Sequence, residues 1–477
     1  LALKAFPVAL RAAGVPDLVL PEDDWSAFNL HPRAGTVLLD QWQHWLAQQP
    51  STARKHWRQR VQTARIEHLG MVEFFARHPT LRVPLVLAPV TAHYSWSKGL
   101  KLLGLGRAQM ELLPESGMRL DTDALESILE RCRRERQPVL MSVAVLGTTE
   151  YGTFDPVDRM LAARERAATA GLGHSVHVDA AWGGYLATVF RNEDGSLRSR
   201  DEVAKGYNAF PAPEVYAAIA ALADTDSVTI DPHKLGYLPF GTGAFVCRDH
   251  RVSALLAEEA DYVFSGATAK TYVERYRGLG QFVPEGSKSG ANAAAVYVTH
   301  RVLPLDHRHF GHLTRQTILA AEAFHLRATR FAKEMGDYVT AMVPFPPDSN
   351  LVCLALNPRG NTSVAGANVF VRRLHDDMRA DPRQPLQLKQ FFASMTTLRP
   401  EAIGDVEIRR VFDALGLDTA SLDDDEGNDR VVILRHTLMN PYLIDHENDI
   451  SYIDLYFDYL QERVRQFPGP GKPTRTA

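Results

Sequence analysis

From residue 83 onward the hydrophobic positions fall into short runs, and amphipathic stretches separate them. The runs at 83–89 (VPLVLAP), 109–114 (QMELLP), 175–179 (SVHVD), 227–230 (SVTI) and 243–249 (GAFVCRD) have the length and residue types of strands. The run at 138–146 (PVLMSVAVL) is almost continuously apolar, as in a strand covered on both faces. Between runs the period changes: Leu125, Ile128, Leu129 and Cys132 mark one face of a helix over 123–136, with Asp121 placed to cap it. Further helices are predicted after His93 and over 157–171. Repeated strand–helix units predict an α/β fold with a mostly parallel sheet, helices on both faces and ligands beyond the strands' carboxyl ends.

The flanks read differently. Residues 1–78 have helical spacing broken by Pro16, Pro21, Pro32 and Pro50, which predicts helices joined by loops. After residue 310 come a helix, strands near 350–357 and 431–438, and an amphipathic helix at 449–466, a smaller α+β unit. Residues 191–210 (RNEDGSLRSRDEVAKGYNAF) form a polar insert, predicted as a surface loop. The terminal PGPGKPTRTA is predicted to be disordered.

Two of the runs end in chemistry. Asp231-Pro232 stops the strand at 227–230, because proline has no N–H for a sheet and turns its predecessor away from helix. His233 and Lys234 follow. A lysine at the mouth of a parallel sheet, with apolar neighbours and an imidazole beside it, can lose its proton and act as an amine nucleophile. The plainer reading is a strand-end lysine in water. The stretch SVHVDAAWGGY (175–185) shifts the balance. Asp179, at the end of a buried strand, needs a cationic partner, since an unpaired buried carboxylate costs several kcal/mol. A protonated pyridine nitrogen would supply one. Ala181 is small enough for a flat ring to lie on it, and Gly183-Gly184 lets the backbone come close. A lysine nucleophile with an aspartate for a pyridinium is the pairing expected of pyridoxal 5'-phosphate (PLP) enzymes.

With HVDAAWGGY and SVTIDPHKLGY in this order, the chain resembles the group II PLP-dependent amino-acid decarboxylases, nearest the bacterial tyrosine decarboxylase branch, from about residue 1 to 465. The resemblance implies the PLP-dependent transferase fold type I. Residues 1–78 would be a helical N-terminal segment, 79–309 the PLP-binding large domain, 310–466 a C-terminal α+β domain and 467–477 a disordered tail. It also implies a homodimer with its sites at the subunit interface, an amino-acid substrate of tyrosine-like character, and a cytoplasmic location.

By the same resemblance, Lys234 carries the cofactor, Asp179 holds its pyridine nitrogen and His93 stacks on its ring above Ala181. Next to Lys234, His233 can donate to the phosphate. Thr148 (or Thr149) could donate to the ring oxygen or simply stabilise its turn, while Asp155-Pro156 reads as a helix cap. Ser287 and Ser289 precede a helix whose N-terminus attracts phosphate. In relatives a segment near here approaches the partner subunit's cofactor. Tyr262 is expected to donate a proton to the carbon that loses CO2, with Tyr272 and Tyr276 as competitors. Phe240 departs from the branch's usual tyrosine and removes a hydroxyl beside the lysine. His436 and Thr437 either line the mouth of the site and read the side chain or pack between domains.

The family's glycine-rich GG(T/S) phosphate motif is not found in the sequence. The segment ARIEHLGMVEFFARH resembles the helix that follows that motif but lacks its two glycines, and reads as a plain amphipathic helix. The chain is therefore expected to lack the family's N-terminal region and to bind PLP weakly alone.

Composition excludes several other classes. The 477 residues are 45% hydrophobic and 23% charged with a formal charge of −4, which argues against nucleic acid or membrane as a main partner. Cys132, Cys247 and Cys353 are too few and scattered for a disulfide framework or metal cluster. No apolar run reaches the roughly 18 residues of a membrane span. A PLP-dependent aldehyde synthase or aminotransferase would use the same Lys234 and Asp179, and a non-catalytic PLP-fold protein is a further alternative. A carbon–phosphate lyase would require a basic substrate pocket that the motifs do not reveal.

Overall fold

The computed structural model describes residues 23–257, 279–285, 288–422 and 427–467, apart from 382, 384, 386 and 388. Tyr262, Tyr272, Tyr276, Ser287 and the terminal PGPGKPTRTA lie outside the described residues.

Six strands build the first sheet: β1 (Leu85–Pro89), β2 (Met110–Leu113), β3 (Val139–Val145), β4 (Ser175–Asp179), β5 (Ser227–Ile230) and β6 (Ala244–Cys247). Their order is β2-β1-β3-β4-β5-β6, parallel throughout except that β6 runs antiparallel to β5. This is the mostly parallel α/β sheet that the alternating pattern predicts. Helix Thr122–Arg134 shows the local logic. Asp121 accepts hydrogen bonds from the N–H groups of Asp123 (2.9 Å) and Ala124 (3.1 Å), and Leu125, Leu129 and Cys132 bury the opposite stripe.

The second sheet is antiparallel: β7 (Val339–Met342), β8 (Leu351–Pro358), β9 (Ser394–Leu398) and β10 (Val431–Thr437), in the order β9-β10-β8-β7. Helices Phe310–Glu334, Val364–Met378 and Tyr452–Gln466 bury apolar faces beside it. Two of these strands escape the sequence pattern. β7 (VTAM) is short, and β9 (SMTTL) is rich in hydroxyls, so neither presents a clear alternation or an apolar run.

Three expectations need correction. The insert at 191–210 is not a bare surface loop. It carries a helix at Arg200–Ala204 opened by a Ser199–Glu202 capping box, and Val203 and Phe210 are buried in the main core. Its polar composition hid two anchors. The stretch 66–77 is not one plain helix, because Gly70 interrupts it with φ 72° and ψ 163°. Asp155 does not cap the next helix. Its carboxylate is fully buried and accepts the N–H groups of Leu120 (2.8 Å) and Val145 (2.7 Å), which ties the end of β3 to the segment before helix Thr122–Arg134. Burial raises that carboxyl to about 6 despite both bonds.

Candidate active site

The carboxyl ends of β1, β3, β4 and β5 lie side by side at one edge of the parallel sheet, and the expected site residues placed there follow three of them, β1, β4 and β5. Strand β5 stops at Asp231-Pro232, and the chain then turns tightly: Lys234 N–H donates to Asp231 O (2.9 Å), and Leu238 N–H donates to Pro232 O (3.1 Å). Gly236 makes this turn possible. A Cβ there would lie 2.5 Å from Pro232 O and 2.6 Å from Tyr185 Cζ. Next to it Tyr237 adopts a left-handed φ of 56°, and its hydroxyl donates to Met439 O (2.7 Å) in the C-terminal half. Burial pushes that phenol up to about 12, so it stays a neutral donor.

The Asp179 turn lies alongside. Ala180 N–H donates to Thr229 O (2.9 Å), and Asp231 N–H donates to Ala181 O (3.3 Å), so the lysine loop is stitched to the aspartate loop by backbone bonds. Asp179 Oδ1 accepts Ala181 N–H (3.2 Å), and Oδ2 accepts the indole N–H of Trp96 (3.2 Å). Two residues earlier on the same face, His177 bridges the strands, with Nδ1 2.8 Å from Ser227 Oγ and Nε2 3.2 Å from Thr229 Oγ1. Burial lowers its pKa and keeps the ring neutral at this junction.

Lys234 Nζ sits 3.1 Å from Asp231 Oδ2, half-buried. His233 turns Nδ1–H to Thr242 O (2.6 Å) and Nε2 toward the same Asp231 oxygen (3.6 Å), and stacks on Phe240 at 5.2 Å between ring centres. Phe240 itself is exposed. His93 follows β1, half-buried. Its Nδ1 accepts Ser95 N–H (3.3 Å), as a helix-start histidine would, and its ring lies 4.2 Å from that of Tyr94. Ser289 likewise accepts Ala291 N–H (3.3 Å) at the start of helix Ala291–Val302, whose Asn292 donates to Gly241 O (3.1 Å).

Two expected site residues are placed elsewhere. Thr148 is fully buried, its hydroxyl paired with that of Thr153 (3.0 Å) and accepting Thr153 N–H (3.2 Å). The structure gives it the turn-stabilising role. His436 is buried inside the C-terminal core, against Phe324 at 4.5 Å, with Nε2 2.6 Å from Tyr456 Oη and Nδ1 3.2 Å from Val352 O. Strand alternation sends its neighbour Thr437 to the other, exposed face. The C-terminal half reaches the site through other residues. Asn350 accepts the Trp182 indole N–H (2.9 Å), and Arg435 donates to Thr149 O.

Trp96 and Asp231 contact Asp179 and Lys234, and the motifs did not single out either contact. Asp231 lies three residues before Lys234, a spacing that could have marked it as the lysine's ion partner. Trp96 lies one helical turn after His93, but its partner Asp179 is 83 residues away, and no local pattern encodes that contact.

A flat pyridine ring needs an amine to bind it, an anion at its nitrogen and an unencumbered edge. Lys234, Asp179 and the small Ala181 at the mouth of one sheet supply these, so the residues fit PLP at its ring end. A family model described as the pyridoxal-dependent decarboxylase conserved domain matches residues 52–208, and one described as the tyrosine decarboxylase C-terminal domain matches 321–464. The chain belongs to the pyridoxal-dependent decarboxylases. Within them it falls on the tyrosine decarboxylase branch. It is 29% identical to an L-tyrosine decarboxylase of Levilactobacillus brevis over 97% of this chain and 70% of that one. An L-tyrosine decarboxylase of Enterococcus faecium is 34% identical over 75% of this chain and 59% of that one. The chain thus spans about three fifths to seven tenths of the length of these relatives. Among solved structures, mouse CSAD in apo form shares the fold, with a TM-score of 0.52 at 17% identity, over 82% of this chain and 67% of that one. PLP is the family's cofactor. Among the described residues no helix is long and apolar enough to cross a membrane.

Proposed function

We propose that this pyridoxal-dependent decarboxylase removes the α-carboxylate of an L-amino acid of tyrosine-like character, releasing the amine and CO2. The observation that carries the reading is the stitched pair of loops that sets Lys234 beside the Asp179 turn. When bound, PLP supplies an electron sink for the bond broken at the substrate's α-carbon. This chain's residues prepare for that. Lys234 Nζ, held by Asp231 Oδ2 at 3.1 Å, is the amine that would attach the cofactor, and the ion pair fixes its position at the mouth of the sheet. Asp179, fixed by Ala181 N–H and the Trp96 indole, would pair with the pyridine N–H. His93 and Ala181 would hold the ring from its two faces, and His233 with the Ser287–Ser289 segment would receive the phosphate. Tyr262 would return the proton to the α-carbon, and Phe240 with Thr437 would meet the side chain.

A homodimer forms part of this reading. Phe245 and Val246 on β6, and Tyr297, Val298 and Val302 on helix Ala291–Val302, are exposed, and that helix buries none of its residues within the chain. A second copy covering this face supports a site shared between subunits. The test is incubation of the PLP-saturated chain with L-tyrosine, L-phenylalanine, L-tryptophan and L-glutamate, while amine, CO2, ammonia and peroxide are followed. Amine with stoichiometric CO2 from an aromatic substrate is the expected result. Ammonia and peroxide in place of amine would convert the assignment to an aldehyde synthase.

A further inference from the structure

The 191–210 insert closes one side of a cavity of about 320 Å³ that takes no part in the arrangement around Lys234. Its other wall is the turn before helix Phe310–Glu334 and the first turns of that helix. Three cations line it: Arg198, Lys205 and Arg315. Each guanidinium is held by backbone carbonyls, Arg198 by Val189 O (2.7 Å) and Glu202 O (3.0 Å), and Arg315 by Gly206 O (3.2 Å). These bonds orient the two groups and use only part of their donors, since a guanidinium has five N–H. The Tyr207 hydroxyl is buried and bonds to nothing in the structure, although buried hydroxyls are normally satisfied. Burial raises this phenol well above its ordinary range, so it is a neutral donor.

Two acids stand nearby, and each accepts hydrogen bonds from its own neighbours. The carboxylate of Glu202, the acid in the lining, accepts Ser199 N–H (2.8 Å) and the Ser199 hydroxyl (2.7 Å). Nearby Glu322 spends its oxygens on the N–H groups of Asn208, Ala209 and Phe210. His307 directs Nδ1–H to Arg191 O (3.0 Å). What remains is a donor-rich hollow with apolar patches at Val189 and Val203.

We propose that this cavity is a binding site for a small aliphatic organic acid. Its carboxylate meets Arg198, Lys205, Arg315 and the Tyr207 hydroxyl, and its short hydrocarbon part lies on Val189 and Val203. Arginine forks match a carboxylate in two bonds, and the half-enclosed setting makes such bonds stronger than at an open surface. The site would report the level of such an acid, because helix Phe310–Glu334 packs against both the segment after Asp179 and the C-terminal sheet.

Saturation-transfer NMR on the PLP-saturated chain tests this, with butyrate as probe and 1-butanol as its neutral match at equal ionic strength. Butyrate is expected to bind with Kd in the low millimolar range, and butanol at least 10-fold more weakly. Lys205→Glu and Tyr207→Phe, neither of which disturbs an anchoring bond, should each weaken butyrate several-fold, and Arg315→Gln should weaken it more. Circular dichroism shows that each variant is folded before its binding is read. Absence of butyrate binding, equal binding of butanol, or binding that all three variants leave unchanged would overturn the proposal.

Discussion

Strand β5 of the six-stranded sheet and strand β8 of the four-stranded sheet treat their residues in opposite ways. All four residues of β5 are half-buried, and the neighbouring β6 exposes Phe245 and Val246. All eight residues of β8 are buried, from Leu351 to Pro358. β8 is a sealed core strand, packed between helices and two antiparallel neighbours. β5 ends at the turn that carries Lys234, beside an edge strand with exposed apolar residues. The contrast is one of position: β8 runs through the middle of its sheet, while β5 lies next to the exposed edge strand of the parallel sheet.

The comparison fails most visibly at the tip of β5. Lys234→Ala should abolish covalent attachment of PLP while leaving the fold intact. Borohydride reduction and peptide mapping read this directly, and a pyridoxyl label on another lysine in the unmodified chain would refute the assignment. Asp179→Asn should retain PLP and slow turnover by on the order of 10²–10³, because the amide cannot hold the pyridinium proton. Near-normal turnover in that variant would mean the ring nitrogen is paired elsewhere.

On the stability side, Leu354→Ala in β8 should cost about 2–5 kcal/mol, the range for an enclosed leucine. Val246→Ala on β6 should cost the isolated subunit less than about 1 kcal/mol and instead weaken self-association. Denaturant midpoints and sedimentation of both variants check the contrast, and equal losses of stability would erase it.

Two deeply buried histidines, His174 in the first half and His436 in the second, are both held at about 4 by burial. An unfolded histidine titrates near 6.5, so between that pH and about 4 the unfolded chain binds the extra protons. Stability should therefore be lost as pH falls through this window, by on the order of 3 kcal/mol for each histidine at its lower end. Unfolding curves at pH 7 and pH 4.5 measure the effect. His436→Leu should flatten the C-terminal share of it, and an unchanged slope in that variant would assign the acid sensitivity to other groups.

The sequence made the parallel sheet legible because its strands are apolar runs with amphipathic helices between them. Lys234 and Asp179 were legible because each stands where such a run stops. The C-terminal sheet was only half visible, since the hydroxyl-rich β9 gains its place from pairing with β10 rather than from its own pattern. His436 was misread for a related reason. Its position beside Thr437 near the end of a strand says nothing about which of the two faces inward, and the inward face belongs to Phe324 and Tyr456. The Trp96–Asp179 bond and the anchoring of the insert by Val203 depend on which chain segments meet, and no local window contains both partners.

The Tyr237–Met439 hydrogen bond makes the chain hard to divide. It fastens the loop that carries the nucleophile to a carbonyl 202 residues further on, just past β10. A fragment ending before Phe310 would keep every residue of the parallel sheet and both motifs, yet its lysine loop would lose its far anchor. The amine is aimed jointly by the strand beneath it and by a segment from the other end of the polypeptide. Cutting the chain between its two halves would therefore free one end of the turn that presents Lys234.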